Sequence, residues 1–244
     1  MLIEILELDT QNSPYPRAFI EFGVQDYTES NTRYLLKKRN FLGFVMDSNQ
    51  AHIDFIQQDE IYWRYDIEAK RAFITKENIN NLIKEWLNSR ELHNIAILSI
   101  DIDGMDYFVW ESIECVQPAI VVVEFNALFG TKHISVPYND SFNRFEAHYS
   151  GLYFGASLPA FIDLGKRKGY KFIGADSSGT NAFFVHNSLE SKTQHIHTNS
   201  PESYCMQHNA RQSRDQNGRL TYLSGKERAK IFKELALYNT KDHK

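Results

Sequence analysis

Two aspartates, Asp101 and Asp103, follow a short apolar run that begins at Ile95. A run that is apolar on both faces is typical of a central parallel strand covered by helices on both sides. Carboxylates at the end of a buried strand are costly unless a ligand or a partner compensates them. Ligands of open α/β sheets bind at this end of the strands. We therefore predict that Asp101 and Asp103 hold a ligand, a metal ion or a reacting group. The alternative is that Asp101 and Asp103 are only a helix cap and a surface acid.

A second apolar run, 119–123, ends in Glu124 and Asn126, which point to the same side if the strand continues. Carboxylate and amide oxygens are ligands that suit magnesium or manganese. The predicted metal site is therefore Asp101, Asp103, Glu124 and Asn126, and the metal would orient a substrate oxygen and lower its pKa.

A glycine and an aspartate mark another pair of strand ends. Residues 18–23 are predicted to form a strand that ends in a turn at Gly23. Asp47 directly follows an apolar run at 41–46. This spacing is typical of a glycine turn and a ribose-binding acid that serve one nucleotide. The alternatives are that Gly23 is only a turn glycine and that Asp47 caps a helix at 49–57.

The segment 127–155 interrupts the alternation of strands and helices with a long, polar and aromatic stretch. Loops of this length in compact domains are usually functional lids or disordered, and we predict a cover over the active site. His148 in this segment is a candidate general base, because the ordinary pKa of histidine suits neutral pH. The alternative is that His148 is an exposed or packed loop histidine. Tyr149 and Tyr153 either stack on a sugar or pack the insertion down, and packing is the favoured interpretation.

Composition restricts the function classes. The 244 residues carry a formal net charge of −4, which argues against a broad nucleic-acid interface. The first residues lack the basic start and long apolar core of a signal peptide, and no stretch is long enough for a membrane span. Two cysteines without metal-type spacing favour a reduced, cytoplasmic protein.

Strands and helices alternate five times and then a hairpin, 170–175 with 181–186, closes the pattern. This order predicts a mostly parallel seven-stranded α/β sheet with one antiparallel hairpin strand. Two segments, 61–67 and 72–75, are both candidates for the third strand, and the sequence does not decide between them. The predicted organisation is an arm at 1–16, a main domain at 17–187 and an appendage at 188–244 with a terminal helix at 224–237. The appendage packs either on the lid or on a second subunit of a homo-oligomer.

This combination resembles class I S-adenosylmethionine-dependent methyltransferases, which have a Rossmann-like fold, and the sequence is similar to the FkbM-like methyltransferases. The residues that carry the resemblance are FIEFG at 19–23, Asp47, and LSIDIDG at 98–104. In one respect the chain departs from the family: no second glycine follows Gly23. A pyrophosphate needs close backbone approach at a second glycine. The departure therefore argues more strongly against a nicotinamide dehydrogenase than against a methyltransferase.

The resemblance implies a role for several residues. Glu21 and the backbone of Gly23 would lie against the methionine part of the cofactor, and Ser30 would help to hold its carboxylate. Asp47 would take the ribose hydroxyls, Phe73 would flank adenine, and Asp101 would lie beside the transferred methyl group. The implied reaction is O-methylation of a polar small molecule or a glycan, with a sugar hydroxyl as the favoured acceptor.

Two rival functions stay open. A metal-dependent nucleotide-sugar glycosyltransferase would explain Asp101 and Asp103, but it leaves the pairing of Gly23 with Asp47 unexplained. A methyltransferase-like scaffold without catalytic activity would bind a partner and no cofactor.

Overall fold

A computed structural model describes residues 2–204, 213–223 and 225–242. In chain order, its strands are β1 (Ala18–Phe22), β2 (Leu42–Asp47), β3 (Ile67–Arg71), β4 (Ile97–Ile100), β5 (Ile120–Glu124), β6 (Ile134–Ser135), β7 (Tyr170–Ala175), β8 (Asn181–His186) and β9 (Tyr238–Asn239). Its α-helices are α1 (Leu2–Ile5), α2 (Arg33–Arg39), α3 (Gln50–Gln58), α4 (Glu60–Arg64), α5 (Ile79–Ser89), α6 (Asp106–Ser112), α7 (Arg144–Ala147), α8 (Leu158–Arg167), α9 (Glu190–Thr193) and α10 (Gly225–Arg228). Short 3-10 helices lie at Ala127–Phe129, Asn187–Leu189, Pro201–Tyr204 and Ala229–Glu234.

Seven strands form one sheet in the order β3-β2-β1-β4-β5-β8-β7. β1 is parallel to both β2 and β4, and β2 is parallel to β3. β8 runs antiparallel to β5, because the N–H of Phe125 bonds to the carbonyl of Thr180 while the N–H of His186 bonds to the carbonyl of Ala119. The predicted Rossmann-like sheet with its closing antiparallel hairpin is confirmed.

The chain packs as two compact units. The first consists of Met1–Ile102, Ser112–Val122 and Val185–His195, and the second of Asp103–Glu111, Val123–Phe184 and Ile196–Lys244. Within the described ranges, no helix is both long enough and apolar enough to cross a membrane.

The core of the first unit forms around β1, whose five residues are all buried. Helix α5 buries Ile79, Ile83, Trp86 and Leu87, four members of the apolar stripe that the sequence shows at helical spacing. The ring of Trp86 stacks on Phe44 of β2, with 5.2 Å between the centroids. Each large side chain buried in this way stabilises the unit by about 1.5–3 kcal/mol, and the contact between Trp86 and Phe44 fixes α5 against β2.

The N-terminal arm is attached to the first unit by charge and by apolar contact. Arg39 at the end of α2 forms ion pairs with Glu4 and Asp9, and Leu6 and Leu8 are buried. The segment that the sequence describes as an arm therefore packs closely in the first unit.

The third strand corrects one prediction. It occupies Ile67–Arg71, so neither 61–67 nor 72–75 is the strand. Residues 61–64 are helical instead, because the side chain of Asp59 accepts a hydrogen bond from the N–H of Ile61 at 2.8 Å and caps α4. A short apolar run fits a helix or a strand equally well, and here the cap decides.

The core of the second unit is aromatic. Trp110 of α6 contacts Phe184 with 4.9 Å between the ring centroids, and Tyr170 and Phe161 lie at 5.9 and 6.2 Å. Gly165 of α8 permits this packing, since a Cβ there would lie 2.9 Å from the Phe184 ring.

The insertion 127–155 packs on the C-terminal segment within the second unit. β6 pairs antiparallel with β9, and the hydroxyl of Tyr153 donates a hydrogen bond to the carbonyl of Ala236. The predicted terminal helix 224–237 is wrong in its length: α10 passes into a 3-10 helix that ends at Glu234. Its predicted cap, Ser224, lies outside the described residues.

Candidate cofactor and active site

Gly23 follows β1 in a conformation that other residues rarely adopt, with φ at +71°. A Cβ at this position would overlap the backbone carbonyl of Asp101. The N–H of Gly23 donates to the carbonyl of Met46 at 2.8 Å, and the N–H of Asp101 donates to the carbonyl of Phe22 at 3.3 Å. Gly23 therefore brings the ends of β1, β2 and β4 into direct backbone contact.

Asp47 ends β2 and its side chain is 9% exposed. Its Oδ1 accepts a hydrogen bond from the N–H of Asn49 at 2.8 Å and lies 3.1 Å from Nδ1 of His52. Its Oδ2 accepts from the N–H of Gln25 at 2.9 Å. Each carboxylate oxygen has two lone pairs, so among these contacts Oδ2 keeps one acceptor position. The turn that donates to Asp47 is strained, because Gln25 and Tyr27 both have positive φ.

Glu21 is buried in β1 and its carboxylate faces the start of α2. Oε1 accepts hydrogen bonds from the N–H of Asn31 at 2.9 Å and from the hydroxyl of Ser99 at 3.3 Å. Oε2 accepts from the N–H and the hydroxyl of Thr32. Burial raises the pKa of Glu21 above its ordinary value, and the hydrogen bonds from Thr32, Asn31 and Ser99 oppose the rise. Glu21 therefore fixes the chain at the beginning of α2.

Ser30 acts at the same helix end. Its hydroxyl accepts a hydrogen bond from the N–H of Arg33, the first residue of α2, at 3.0 Å. Ser30 and Glu21 together satisfy N–H groups that a helix start leaves open.

Phe73 lies two residues beyond β3 with 52% of its surface exposed. The N–H of the preceding residue, Ala72, donates to the carbonyl of Asp47 at 2.9 Å. The exposed ring therefore belongs to the loop that adjoins the end of β2.

The predicted residues of the first unit share one edge of the sheet. The order β3-β2-β1-β4 changes direction between β1 and β4, and the carboxyl ends of strands at such a switch point form the usual ligand crevice of α/β sheets. Gly23, Asp47 and the half-buried Asp101 lie at this edge. The carboxyl ends of β1, β2 and β4 therefore meet at one edge of the sheet.

Asp103 and Glu124 lie together in the second unit. One carboxylate oxygen of each lies within 4.8 Å of the other. Asp103 has φ at +58°, and its Oδ1 accepts a hydrogen bond from Nη1 of Arg144 at 2.8 Å. Arg144 also donates to the carbonyl of Gly151, and the centre of its guanidinium lies 3.6 Å from the ring centroid of Phe154. Arg144 thus links the Asp103 loop to the insertion.

Asn126 is fully buried and holds the insertion in place. Its amide group donates to the carbonyls of Leu152 and Phe154 at 2.9 and 3.0 Å. Its side-chain oxygen accepts from the N–H of Leu128 at 3.1 Å. The contacts of Asn126 are those of a structural residue.

His148 lies at the end of α7 in the second unit. Its Nδ1 lies 2.7 Å from the hydroxyl of Ser150 and accepts from the N–H of Ser150 at 3.3 Å. Burial lowers the pKa of His148 below its ordinary value. An Nδ1 that accepts from a backbone N–H carries no proton, so the neutral ring has its proton on Nε2.

Two residues in these contacts were not predicted from the sequence. His52 lies in the first turn of α3 and approaches Asp47, a contact that only the geometry of the chain after β2 reveals. Arg144 has a side chain that is 3% exposed although it lies in a polar insertion. The sequence signal for Arg144 was its position as a basic residue among the aromatic residues of that insertion.

No protein-family model matches the chain, and no curated protein is significantly similar to it in sequence. Among solved structures, the chain is similar to the methyltransferase domain of bacterial CtHen1, with 13% identity, a TM-score of 0.43 and coverage of 75% of this chain and 95% of that one. It is also similar to the plantazolicin methyltransferase BamL, solved with a triazolic desmethylPZN analog and S-adenosylhomocysteine, with 12% identity, a TM-score of 0.43 and coverage of 76% and 85%. A third similar structure is an S-adenosylmethionine-dependent methyltransferase from Clostridium acetobutylicum ATCC 824, with 9% identity, a TM-score of 0.43 and coverage of 76% and 89%. These values are too low to support an activity, and the fold rests on the sheet itself.

Proposed function

We propose that the chain is an S-adenosylmethionine-dependent methyltransferase. The observation that carries the proposal is the meeting of Gly23, Asp47 and Asp101 at the carboxyl ends of β1, β2 and β4. A glycine turn and an acid at the end of the next strand are the features that bind a nucleoside at a switch point.

The nucleoside part of the cofactor has two partners in this proposal. Asp47 accepts a ribose hydroxyl through the acceptor position that remains on Oδ2, while its bonds to Gln25 and Asn49 keep the carboxylate oriented. Phe73 flanks adenine, which its exposed ring supports.

The methionine part lies along the turn after β1. Glu21 orders the start of α2, Gly23 gives clearance for the ligand, and Ser30 contributes its hydroxyl near the methionine carboxylate. Asp101 stands beside the methyl group. When bound, S-adenosylmethionine supplies an electrophilic methyl group on a sulfonium, so the chain itself must orient the acceptor, exclude water and take a proton.

Asp101 and His148 are the proposed proton acceptors. The tautomer that Ser150 favours gives His148 a donor at Nε2, so a base role for His148 requires Nδ1 to leave Ser150. We favour Asp101, because it lies at the end of β4 next to the Gly23 turn, where the cofactor is proposed to bind. The insertion 127–155 serves as the lid that excludes water.

Magnesium or manganese assistance depends on the acidic residues. Within the second unit, Asp103 and Glu124 present oxygen ligands close enough for one hard cation, and Asp101, two residues earlier in the chain, is the third predicted ligand. Asn126 fits this role poorly because its side chain is already bonded to Leu128, Leu152 and Phe154. A cation on Asp103 competes with Arg144.

The proposed acceptor is a hydroxyl of a sugar, either in a polar small molecule or at the end of a glycan. Phe145 and Tyr149 in the insertion are 65% and 44% exposed, and exposed aromatic rings suit the apolar faces of sugars.

Calorimetric titration with S-adenosylhomocysteine and, separately, with a uridine-diphosphate sugar tests the proposal. We expect saturable binding of S-adenosylhomocysteine alone, and loss of methyl transfer in Asp101→Asn with an unchanged unfolding midpoint. Binding of the nucleotide sugar alone would favour the glycosyltransferase, and binding of neither ligand would favour the scaffold.

A further inference from the structure

A cavity of about 310 Å³ lies within the second unit, between the insertion and the C-terminal segment. It contains none of the residues assigned to the cofactor or to proton transfer. Its size is at the lower end of the range of ligand pockets, about 300–1,000 Å³, so an occupant is a small molecule.

The floor of the cavity is apolar. Leu128, Phe129 and Phe232 are all buried, and the rings of Phe129 and Phe232 pack with 4.8 Å between their centroids. Space remains above this floor, since a Cβ built on Gly130 would meet no atom within 4 Å. An apolar chain that enters the cavity leaves water for an already formed apolar surface.

The mouth of the cavity is positively charged. Lys132 and Lys233 line it from the two segments that enclose it, and both are exposed. No carboxylate is among its described lining residues. Within the described part of the chain, neither lysine takes part in an ion pair. Two cations at the entrance of an apolar cavity attract an anion and repel a cation.

We propose that this cavity binds a small amphipathic carboxylate. The apolar chain lies against Phe129 and Phe232, and the carboxylate stays at the mouth between Lys132 and Lys233. Octanoate is a suitable probe, with octanol as the neutral control of the same chain length and octylammonium as the control of opposite charge.

Isothermal titration calorimetry of the full chain tests the proposal. We expect octanoate to bind about fivefold to tenfold more tightly than octanol, and octylammonium more weakly than either. The advantage of octanoate over octanol should shrink as the salt concentration rises from about 0.05 M to about 0.5 M, because the lysines are exposed.

Two variants and one control locate the binding. The double variant Lys132→Glu, Lys233→Glu should remove the preference for octanoate and leave octanol binding nearly unchanged, whereas Lys230→Glu, an exposed residue outside the cavity lining, should leave both unchanged. Ala229→Leu, which adds volume inside the cavity, should abolish binding of both ligands. Circular dichroism checks that each variant is folded.

Absence of octanoate binding overturns the proposal. Equal affinity for octanoate and octanol overturns the role of the lysines, and binding that survives Ala229→Leu in a folded protein places the ligand elsewhere. Every titration is performed without S-adenosylhomocysteine. A failure of octanoate binding is therefore separate from a failure of the methyltransferase proposal.

Discussion

The backbone carbonyl of Asp101 occupies the space where any residue other than glycine would place its Cβ at position 23. Gly23→Ala should therefore lower the free energy of unfolding by about 3 kcal/mol or more, because the cost of a left-handed φ adds to that of the overlap. Urea unfolding followed by circular dichroism measures the change.

Gly218 is the matched control for position 23. Its φ is +77°, yet no atom lies within 4 Å of the Cβ that alanine would add. Gly218→Ala should cost only about 1 kcal/mol, the penalty of the backbone conformation alone. Similar losses in the two variants would show that the contact with Asp101 has no energetic weight.

Glu21 should make stability fall with rising pH. Its folded pKa is raised above the ordinary value of 4.5 by burial, so between these two pKa values the folded state binds more protons than the unfolded state. Stability contributed by the protonated group is present below about pH 4.5 and is lost as the pH rises through the folded pKa. His148, whose pKa is lowered from 6.5, acts in the opposite direction below that value.

The difference between wild type and Glu21→Gln isolates this contribution from that of His148. We expect the stability of Glu21→Gln relative to wild type to increase as the pH rises above about 4.5, measured by urea unfolding at each pH. Glu60→Gln, at an exposed position of α4, is the control for the loss of a surface carboxylate. A flat difference for Glu21→Gln would mean that its carboxylate titrates as in the unfolded chain.

Arg144 should stabilise the second unit through its contacts rather than through surface charge. Arg144→Met removes donors to Asp103 and Gly151 and the contact with Phe154, and we expect a loss of about 2–4 kcal/mol in the free energy of unfolding. The exposed pair of Arg90 with Asp66 is the control, since Arg90→Met should cost no more than about 1 kcal/mol. Equal losses would refute the structural role of Arg144.

The strand ends that carry the site could be predicted because their signals are local. The apolar runs before Asp47 and Asp101, and the glycine after β1, each need only a few residues to be recognised. The third strand could not be placed, because the cap that makes 60–64 helical depends on the conformation of Asp59.

Side-chain partners distant in sequence were also beyond prediction. Glu21 bonds to the start of α2 and Asn126 bonds to residues 26 and 28 positions later in the chain. Nothing in the local sequence distinguishes a buried acid or amide with such partners from one that binds a ligand, so the metal site predicted from the sequence includes Asn126.

Asp47 should contribute to cofactor binding beyond its role in the fold. Asp47→Ala should weaken binding of S-adenosylhomocysteine by about 1–3 kcal/mol, the cost of leaving hydrogen-bonding groups unpaired. Asp59→Ala also removes a carboxylate that accepts a hydrogen bond from the N–H two residues later, and it should leave cofactor affinity unchanged. Calorimetry of both folded variants measures the affinity, and an equal loss in the two would reduce Asp47 to a structural role.

A crystal of the protein soaked with S-adenosylhomocysteine and manganese would locate the nucleoside and any bound metal ion in one structure. We expect the nucleoside at the carboxyl ends of β1, β2 and β4, with a ribose hydroxyl at hydrogen-bond distance, about 2.5–3.0 Å, from Asp47 Oδ2 and adenine beside Phe73. Density for the nucleoside at any other place on the chain, with Asp47 bonded only to Gln25, Asn49 and His52, would contradict the account.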